Sequence, residues 1–376
     1  MTYSPRTYRI TVSTLFFMAG LCFSSWASRI ATIQQSLGLN EAGLGAVLFA
    51  LPVGLMLSLP LSGWAVSKIG SRKVLAASLT LYGLMLVCLG LANSVTLLIV
   101  CLIFFGMASN AVNISVNTQA VATENLYPKP IMASFHGLWS LAGFVGAGIG
   151  TFMIGNNVAT LTHFLIIGGI VLVAVGICWA FLHDDNGKSE RGPAFVKPDK
   201  FLITLGAIAF CSMIIEGAMF DWSTIYFKKI VGAEKGWIGA GYTAGMCAMA
   251  SGRFVADWFS HKFGLKRTLQ ISGLLSLSGC MIAVIFPILI PAMLGFLLIG
   301  AGISSVVPMV YSAAGKSETM QPGPAIAAVS TISFTGFLIG PPMIGFIAEA
   351  SNLKISFLFL AAMAVCVIVF TTRAKI

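Results

Sequence analysis

Apolar stretches of roughly 20 residues recur along almost the whole chain, each long enough to cross a hydrocarbon layer about 30 Å thick as a helix. In lipid every backbone N–H and C=O must be bonded within its own segment, unless the segments close into a barrel. Barrel strands would alternate in short pieces, whereas these runs are uniformly apolar, so they read as helices. A soluble helical core would need long charged outer faces. With 57% hydrophobic and 9% charged residues among 376, and a mean hydropathy of +0.94, the chain lacks them. The fold expected is an all-α polytopic membrane protein with twelve transmembrane helices in two pseudo-symmetric six-helix bundles.

The helices are expected at about 10–32, 43–66, 73–92, 96–121, 131–155, 161–182, 201–227, 237–259, 268–288, 291–314, 324–348 and 355–372. Only Arg6 and Arg9 precede the first run, which has full spanning length and therefore reads as a membrane helix and not as a cleaved signal peptide. An even number of crossings puts both termini on one side. Seventeen basic residues fall on that side, including Arg253, and only Arg29, Lys228, Lys229, Lys235 and Lys354 on the other. The positive-inside rule makes the termini cytoplasmic. The net charge of +10 is thus a topology signal and not a nucleic-acid footprint. All eight cysteines lie inside apolar runs with no CxxC spacing, as small buried hydrophobes.

The longest polar interval divides the chain into an N-terminal bundle 1–182, a cytoplasmic linker 183–200 and a C-terminal bundle 201–376. The halves resemble each other at a shift of 194 residues. Trp64, Lys68, Gly70 and Leu75 overlay Trp258, Lys262, Gly264 and Leu269, and Glu124, Pro128, Pro130 and Gly146 overlay Glu318, Pro322, Pro324 and Gly340. A shift of 196 superposes Trp26 on Trp222, a slip that the loop after the first helix would absorb. Duplicated halves are a common plan for alternating-access transporters.

An ionisable side chain in hydrocarbon costs several kcal/mol without a partner or water, so each is a functional candidate. Glu216 lies well inside the seventh helix and Asp221 nearer its outer end. Five residues apart, they are separated by about 140° and serve different partners. Glu216 is the foremost proton-coupling candidate, followed by Asp221 and His136; the plain alternative is a glutamate fixed by a neighbouring helix. Arg29 stands at a depth similar to Asp221, and the two would close an outer gate, unless the arginine snorkels and the aspartate sits at the surface.

Asn110, Asn113 and Asn117 share one face of the fourth helix, suited to a hydroxylated or amino-bearing solute or else to helix packing. Trp139 lies one turn from His136. Trp26, Trp222 and Tyr311 complete the substrate-binding candidates, although Trp26 and Trp222 also suit an interfacial belt. Lys68, Arg72, Lys73 and Glu124, with Lys262, Lys266, Arg267 and Glu318, would form reciprocal clamps on the cytoplasmic side, or a basic collar that only sets topology. Glycines concentrate in the fifth and eleventh helices, the latter with Pro341 and Pro342, and mark pliant segments. No GxxxxGK[ST] or GxSxG motif occurs and the four histidines are scattered, so neither an enzyme nor a metal or cofactor is expected.

Gly63-Trp64-Ala65-Val66-Ser67-Lys68-Ile69-Gly70-Ser71-Arg72-Lys73 resembles the signature of the major facilitator superfamily between the second and third helices. It departs at Ser67, where an aspartate is usual, and at Lys68, where arginine is usual; in the second copy Asp257 is the candidate for the missing acid of the gate. Ser25-Trp26-Ala27-Ser28-Arg29-Ile30, Ser134-Phe135-His136-Gly137-Leu138-Trp139-Ser140 and Glu216-Gly217-Ala218-Met219-Phe220-Asp221-Trp222-Ser223 are similar to a bacterial inner-membrane branch related to a transporter for an inositol-derived amine. The resemblance implies secondary active transport by alternating access, driven by protons, by a monomer among membrane lipids. A sugar, polyol or amino-polyol is the leading substrate class, with direction open. The competing readings are a proton-driven exporter of amphiphilic metabolites or drugs, which needs a larger aromatic and methionine cavity, and a non-transporting receptor or scaffold with a filled centre.

Overall fold

The computed structural model describes residues 3–128, 131–184, 198–314, 317, 319–320 and 322–374, and among them the chain is entirely helical. The first half comprises α1 (Pro5–Ser36), α2 (Glu41–Leu48), α3 (Ala50–Ile69), α4 (Ser71–Leu91), α5 (Val95–Glu124), α6 (Met132–Gly155) and α7 (Thr160–Cys178). The second comprises α8 (Lys200–Tyr226, continued by a π-turn over Phe227–Val231), α9 (Ala240–Phe263), α10 (Leu265–Ile285), α11 (Leu289–Ile303), α12 (Val306–Ala314), α13 (Pro322–Ala350) and α14 (Leu353–Arg373).

These helices make twelve crossings, because α2 and α3 form one crossing interrupted at Phe49, and α11 and α12 another interrupted at Ser304 and Ser305. Among the described residues eleven spans are long and apolar enough to cross a membrane. The twelfth crossing is α9, whose 24 residues reach about 36 Å but include Arg253. Most of the linker, 185–197, lies outside the described residues, as does Glu318.

Local chemistry explains where several helices start. The side chains of Ser4, Ser94, Asp199 and Asn352 accept hydrogen bonds from the backbone N–H of Thr7, Leu97, Leu202 and Ile355, each capping a helix whose first N–H groups have no partner within the helix. Pro5 opens α1, where its missing N–H costs nothing.

The internal repeat is visible in the backbone. Gly70 and Gly264 have φ of 93° and 77°, and Gly38 and Gly232 have φ of 62° and 67°, each pair 194 residues apart. A Cβ at Gly106 would collide with the carbonyl of Leu51, and one at Gly300 with the carbonyl of Gly245, again in that register. Arg72 donates to the carbonyl of Trp179 at 3.2 Å and Lys266 to that of Ala374 at 3.1 Å, so in each half the same basic position holds the end of the last crossing. The two-residue slip at Trp26 and Trp222 falls before Gly38 and Gly232, hence within the ends of α1 and the π-turned α8 and not in the following loop.

Packing divides the chain into two units, Met1–Gly38 with Val47–Ser189, and Leu39–Ala46 with Glu190–Ile376. In the first, α1 runs along α6, α3 along α5, and α4 against α5 and α7. The α1–α6 seam is made of small residues. Gly20 abuts the carbonyl of Trp139, Ser24 abuts Gly146 and Ser28 abuts Gly150, one contact per turn. Such close approach supplies the dispersion contacts that replace the hydrophobic effect in lipid. In the second unit, α8 runs along α13, and α10 packs on α11 and α14. Its core is aromatic where Tyr226 and Phe357 meet at 4.3 Å. The first turn of α2 belongs here as well: Glu41 pairs with Lys229 at 2.6 Å, and Gly45 lies against Pro341 and Gly345 of α13.

Candidate functional site

Every residue of α8 from Cys211 to Tyr226 is buried, which places its two acids inside protein. Glu216 is 16 residues from the start of α8, about 24 Å along the helix and far from either end. Its Oε1 accepts a hydrogen bond from Nη2 of Arg253 at 3.4 Å. Arg253 sits ten residues before the end of α9, about 15 Å inside. The sequence reading assigned Arg253 to the basic group beside the termini; its contact with Glu216 instead draws it into the span. A charge at that depth persists because an opposite charge compensates it.

Asp221 is buried too, at 7% exposure, so it is no surface aspartate. It has a separate environment from Glu216. Around this C-terminal part of α8 the hydroxyls of Ser223, Thr224 and Tyr242 and the indole N–H of Trp222 are buried without hydrogen-bond partners among the described residues, and Tyr242 packs edge-on against Phe220 at 6.3 Å. Each such atom costs about 1–3 kcal/mol relative to a satisfied one.

In the first unit Arg29 is 2% exposed, which rules out snorkelling. Its Nε donates to Nδ1 of His163 at 3.2 Å and its Nη2 to the carbonyl of Val158 at 3.0 Å. With Nδ1 accepting, the neutral imidazole carries its proton on Nε2, a buried atom with no partner. Trp26 and Trp222 are 1% and 0% exposed, and their indole N–H groups are unpartnered, so neither belongs to an interfacial belt.

The amides of α5 divide by role. Asn110 is buried and donates to Ser58 at 2.8 Å and Ser62 at 3.5 Å, which ties α5 to α3. Asn113 is exposed, and its carbonyl oxygen accepts from Asn117 at 2.6 Å. Gln119 is buried in a network with Ser71 and both backbone groups of His183, whose ring stacks on Tyr8 at 3.7 Å. His136 is exposed on α6 with its ring edge-on to Phe16 at 5.3 Å, and Trp139 tilts against Phe23 at 6.1 Å. In the second unit Tyr311 and Ser333 share a hydrogen bond of 3.0 Å.

Among the clamp candidates, Lys68, Lys73 and Arg267 are exposed. Arg72 pairs with Asp184 at 3.6 Å and lies over the Trp179 ring at 4.7 Å. Glu124 accepts from the backbone N–H of Ile131 and of Met132, both at 2.6 Å, and so caps α6. The Asp257 side chain lies outside the described residues, as does Glu318.

Residues 12–318 match the sequence profile described as the Major Facilitator Superfamily. The chain belongs to this superfamily. It is 32% identical over 349 residues to an uncharacterised MFS-type transporter of Yersinia pestis, covering 93% of this chain and 91% of that one. It is also 32% identical to the membrane protein MosC of Rhizobium meliloti, covering 96% and 89%. The fold resembles that of the nucleoside transporter NupG, with a TM-score of 0.79 at 11% identity over 98% of this chain and 100% of that one. It also resembles a bacterial homologue of the human lysosomal transporter Spinster, with a TM-score of 0.73 at 13% identity over 98% and 96%. As a superfamily member the protein is a multi-pass bacterial inner-membrane transporter that moves small molecules by alternating access, and not an enzyme.

Proposed function

We propose that the protein is a proton-coupled transporter of a small polar solute, of the sugar, polyol or amino-polyol class, with both termini cytoplasmic. The observation that carries the coupling is the buried contact between Glu216 and Arg253. An ionised Glu216 holds Arg253 and ties α8 to α9. A proton on Glu216 cancels its charge and weakens that tie, so occupancy by a proton and helix arrangement become linked. Asp221 and His136 are the secondary proton candidates.

The polar character of the cargo is supported by Asn113. It is exposed eleven residues from the end of α5, where contact with hydrocarbon would be unfavourable, so this face is expected to be wet. Asn117, His136 and Trp139 are the accompanying polar and aromatic candidates in the first unit, with Trp26; Trp222 and Tyr311 are those of the second. An amino-polyol is the narrower reading that accords with the sequence resemblance. Arg72 and Lys266 each hold the end of the last crossing of their own half, and Glu124 holds the start of α6; a clamp on the cytoplasmic side would build on these contacts.

The test is a thermal-shift screen of purified protein against sugars, polyols, amino acids and nucleosides, followed by liposome flux under imposed pH gradients. The expected result is a polyhydroxylated hit whose accumulation follows the proton gradient, with Glu216→Gln retaining binding but losing accumulation. A best hit that moves equally fast without a gradient, with Glu216→Gln unchanged, overturns the coupling. Hits confined to amphiphilic cations or drugs overturn the substrate class.

A further inference from the structure

The first unit contains an open surface pocket of about 630 Å³ lined by Arg6, Arg9, Ile10, Ser13, Thr14 and Tyr127. The first five lie on α1 at i, i+3, i+4, i+7 and i+8, one continuous stripe of the helix. Tyr127 reaches them from the turn after α5, and the Arg9 guanidinium lies over its ring, 5.5 Å from the centroid. The ring thereby restrains a side chain that would otherwise sample many rotamers.

The pocket carries two formal positive charges. The ion pairs among the described residues are Arg72–Asp184, Lys229–Glu41 and Arg253–Glu216, so no described carboxylate pairs with Arg6 or Arg9. Both stand in the first turns of α1, which contain no acidic residue, and the N-terminal end of a helix itself carries a partial positive charge. Two cations there are mutually unfavourable until an anion joins them. Ser13 adds a hydroxyl, and Thr14, whose hydroxyl donates to the Ile10 carbonyl at 3.0 Å, adds a polar wall.

The geometry points to a site for a phosphate-bearing ligand in the pocket between α1 and Tyr127. Two guanidinium forks match the negative charge and the tetrahedral array of non-bridging oxygens that phosphate monoesters and diesters both present, better than they match a single carboxylate. The volume exceeds what the phosphate alone needs, and Ile10, 57% exposed, offers the remainder of the ligand an apolar contact. A soluble phosphorylated metabolite and the headgroup of an anionic phospholipid share this chemistry. The site shares no residue with the Glu216–Arg253 pair and does not depend on the coupling proposed for it.

Glycerol 1-phosphate is the probe, with glycerol and sodium sulfate as controls at matched ionic strength, because salt alone screens exposed arginines. Thermal stability of the full-length protein in detergent is read alongside native mass spectrometry of protein taken from phosphatidylglycerol or phosphatidylcholine vesicles. The expected result is stabilisation by glycerol 1-phosphate alone, weakened at least tenfold in Arg6→Gln/Arg9→Gln and less in Arg6→Lys/Arg9→Lys, which preserves charge and membrane topology. Retained phosphatidylglycerol displaced by the probe would identify the lipid source; probe binding without retained lipid would identify a soluble one. Ser13→Ala and Tyr127→Phe, which leave both charges in place, give a second measure if the glutamine variant does not fold. Absence of both probe binding and lipid retention in the parent protein, or equal binding in all variants, overturns the site.

Discussion

The Glu216–Arg253 contact makes a quantitative prediction that stands apart from transport. Removing one member of a buried ion pair commonly costs about 3–5 kcal/mol, because the other charge is left uncompensated. Here the separation is 3.4 Å, longer than a tight charge-assisted hydrogen bond, and the Arg253 side chain is 20% exposed, so the lower end applies. Glu216→Gln keeps an acceptor oxygen and should cost about 2 kcal/mol; Arg253→Gln leaves a buried carboxylate and should cost about 3 kcal/mol. If the two groups act on each other, the double variant should cost about 3 kcal/mol and not their sum, a coupling of about 2 kcal/mol or roughly 30-fold in the folding equilibrium. Reversible denaturation of the four proteins in mild detergent measures each corner of the cycle. Costs that add to within about 0.5 kcal/mol would show that the pair is not energetically joined, and the proton-sensing argument would lose its basis.

Gly70→Ala and Gly264→Ala force a Cβ into a positive-φ extended conformation (ψ of 148° and 159°) that essentially only glycine adopts and should each destabilise the protein by about 1–3 kcal/mol, read from the same denaturation curves. Asp199 lies just outside the span, and its carboxyl is held below the usual range by the Leu202 N–H and the Thr319 hydroxyl. Its contribution is therefore present above the ordinary aspartate value of about 3.9 and lost as pH falls through the lower folded value. Asp199→Asn, which keeps a capping oxygen but no charge, should be less stable than the parent at pH 7 and should lose less stability in acid, so that the difference narrows between thermal melts at pH 7 and pH 3. Asn110→Ala breaks the bond to Ser58 and should cost about 1 kcal/mol of stability, while solute affinity in a binding titration stays unchanged.

The fold was legible because its determinant is one-dimensional: runs of apolar residues of membrane-spanning length need no partner to be recognised. The repeat was legible for a related reason, since Gly70 and Gly264 answer a backbone demand that only glycine meets cheaply, and the demand recurs with the sequence. Pairings were another matter. His163 meets Arg29 across 134 residues, and no spacing rule forecasts which helix faces which. Arg253 was counted with the basic residues on the side of the termini because a single arginine near the end of an apolar run satisfies the topology rule as well as an ion pair does. The three amides of α5 share a stripe as their spacing requires, yet Asn110 is taken up by the α3 serines, a division set by how close the neighbouring helix approaches.

Glu124 has a mechanical consequence. Its carboxylate sits at the last turn of α5 and grips the first peptide groups of α6, so the end of one helix is joined to the start of the next. The fourth and fifth crossings therefore cannot slide past each other at this end without surrendering two short charge-assisted bonds, and any tilt imposed on one is handed directly to the other.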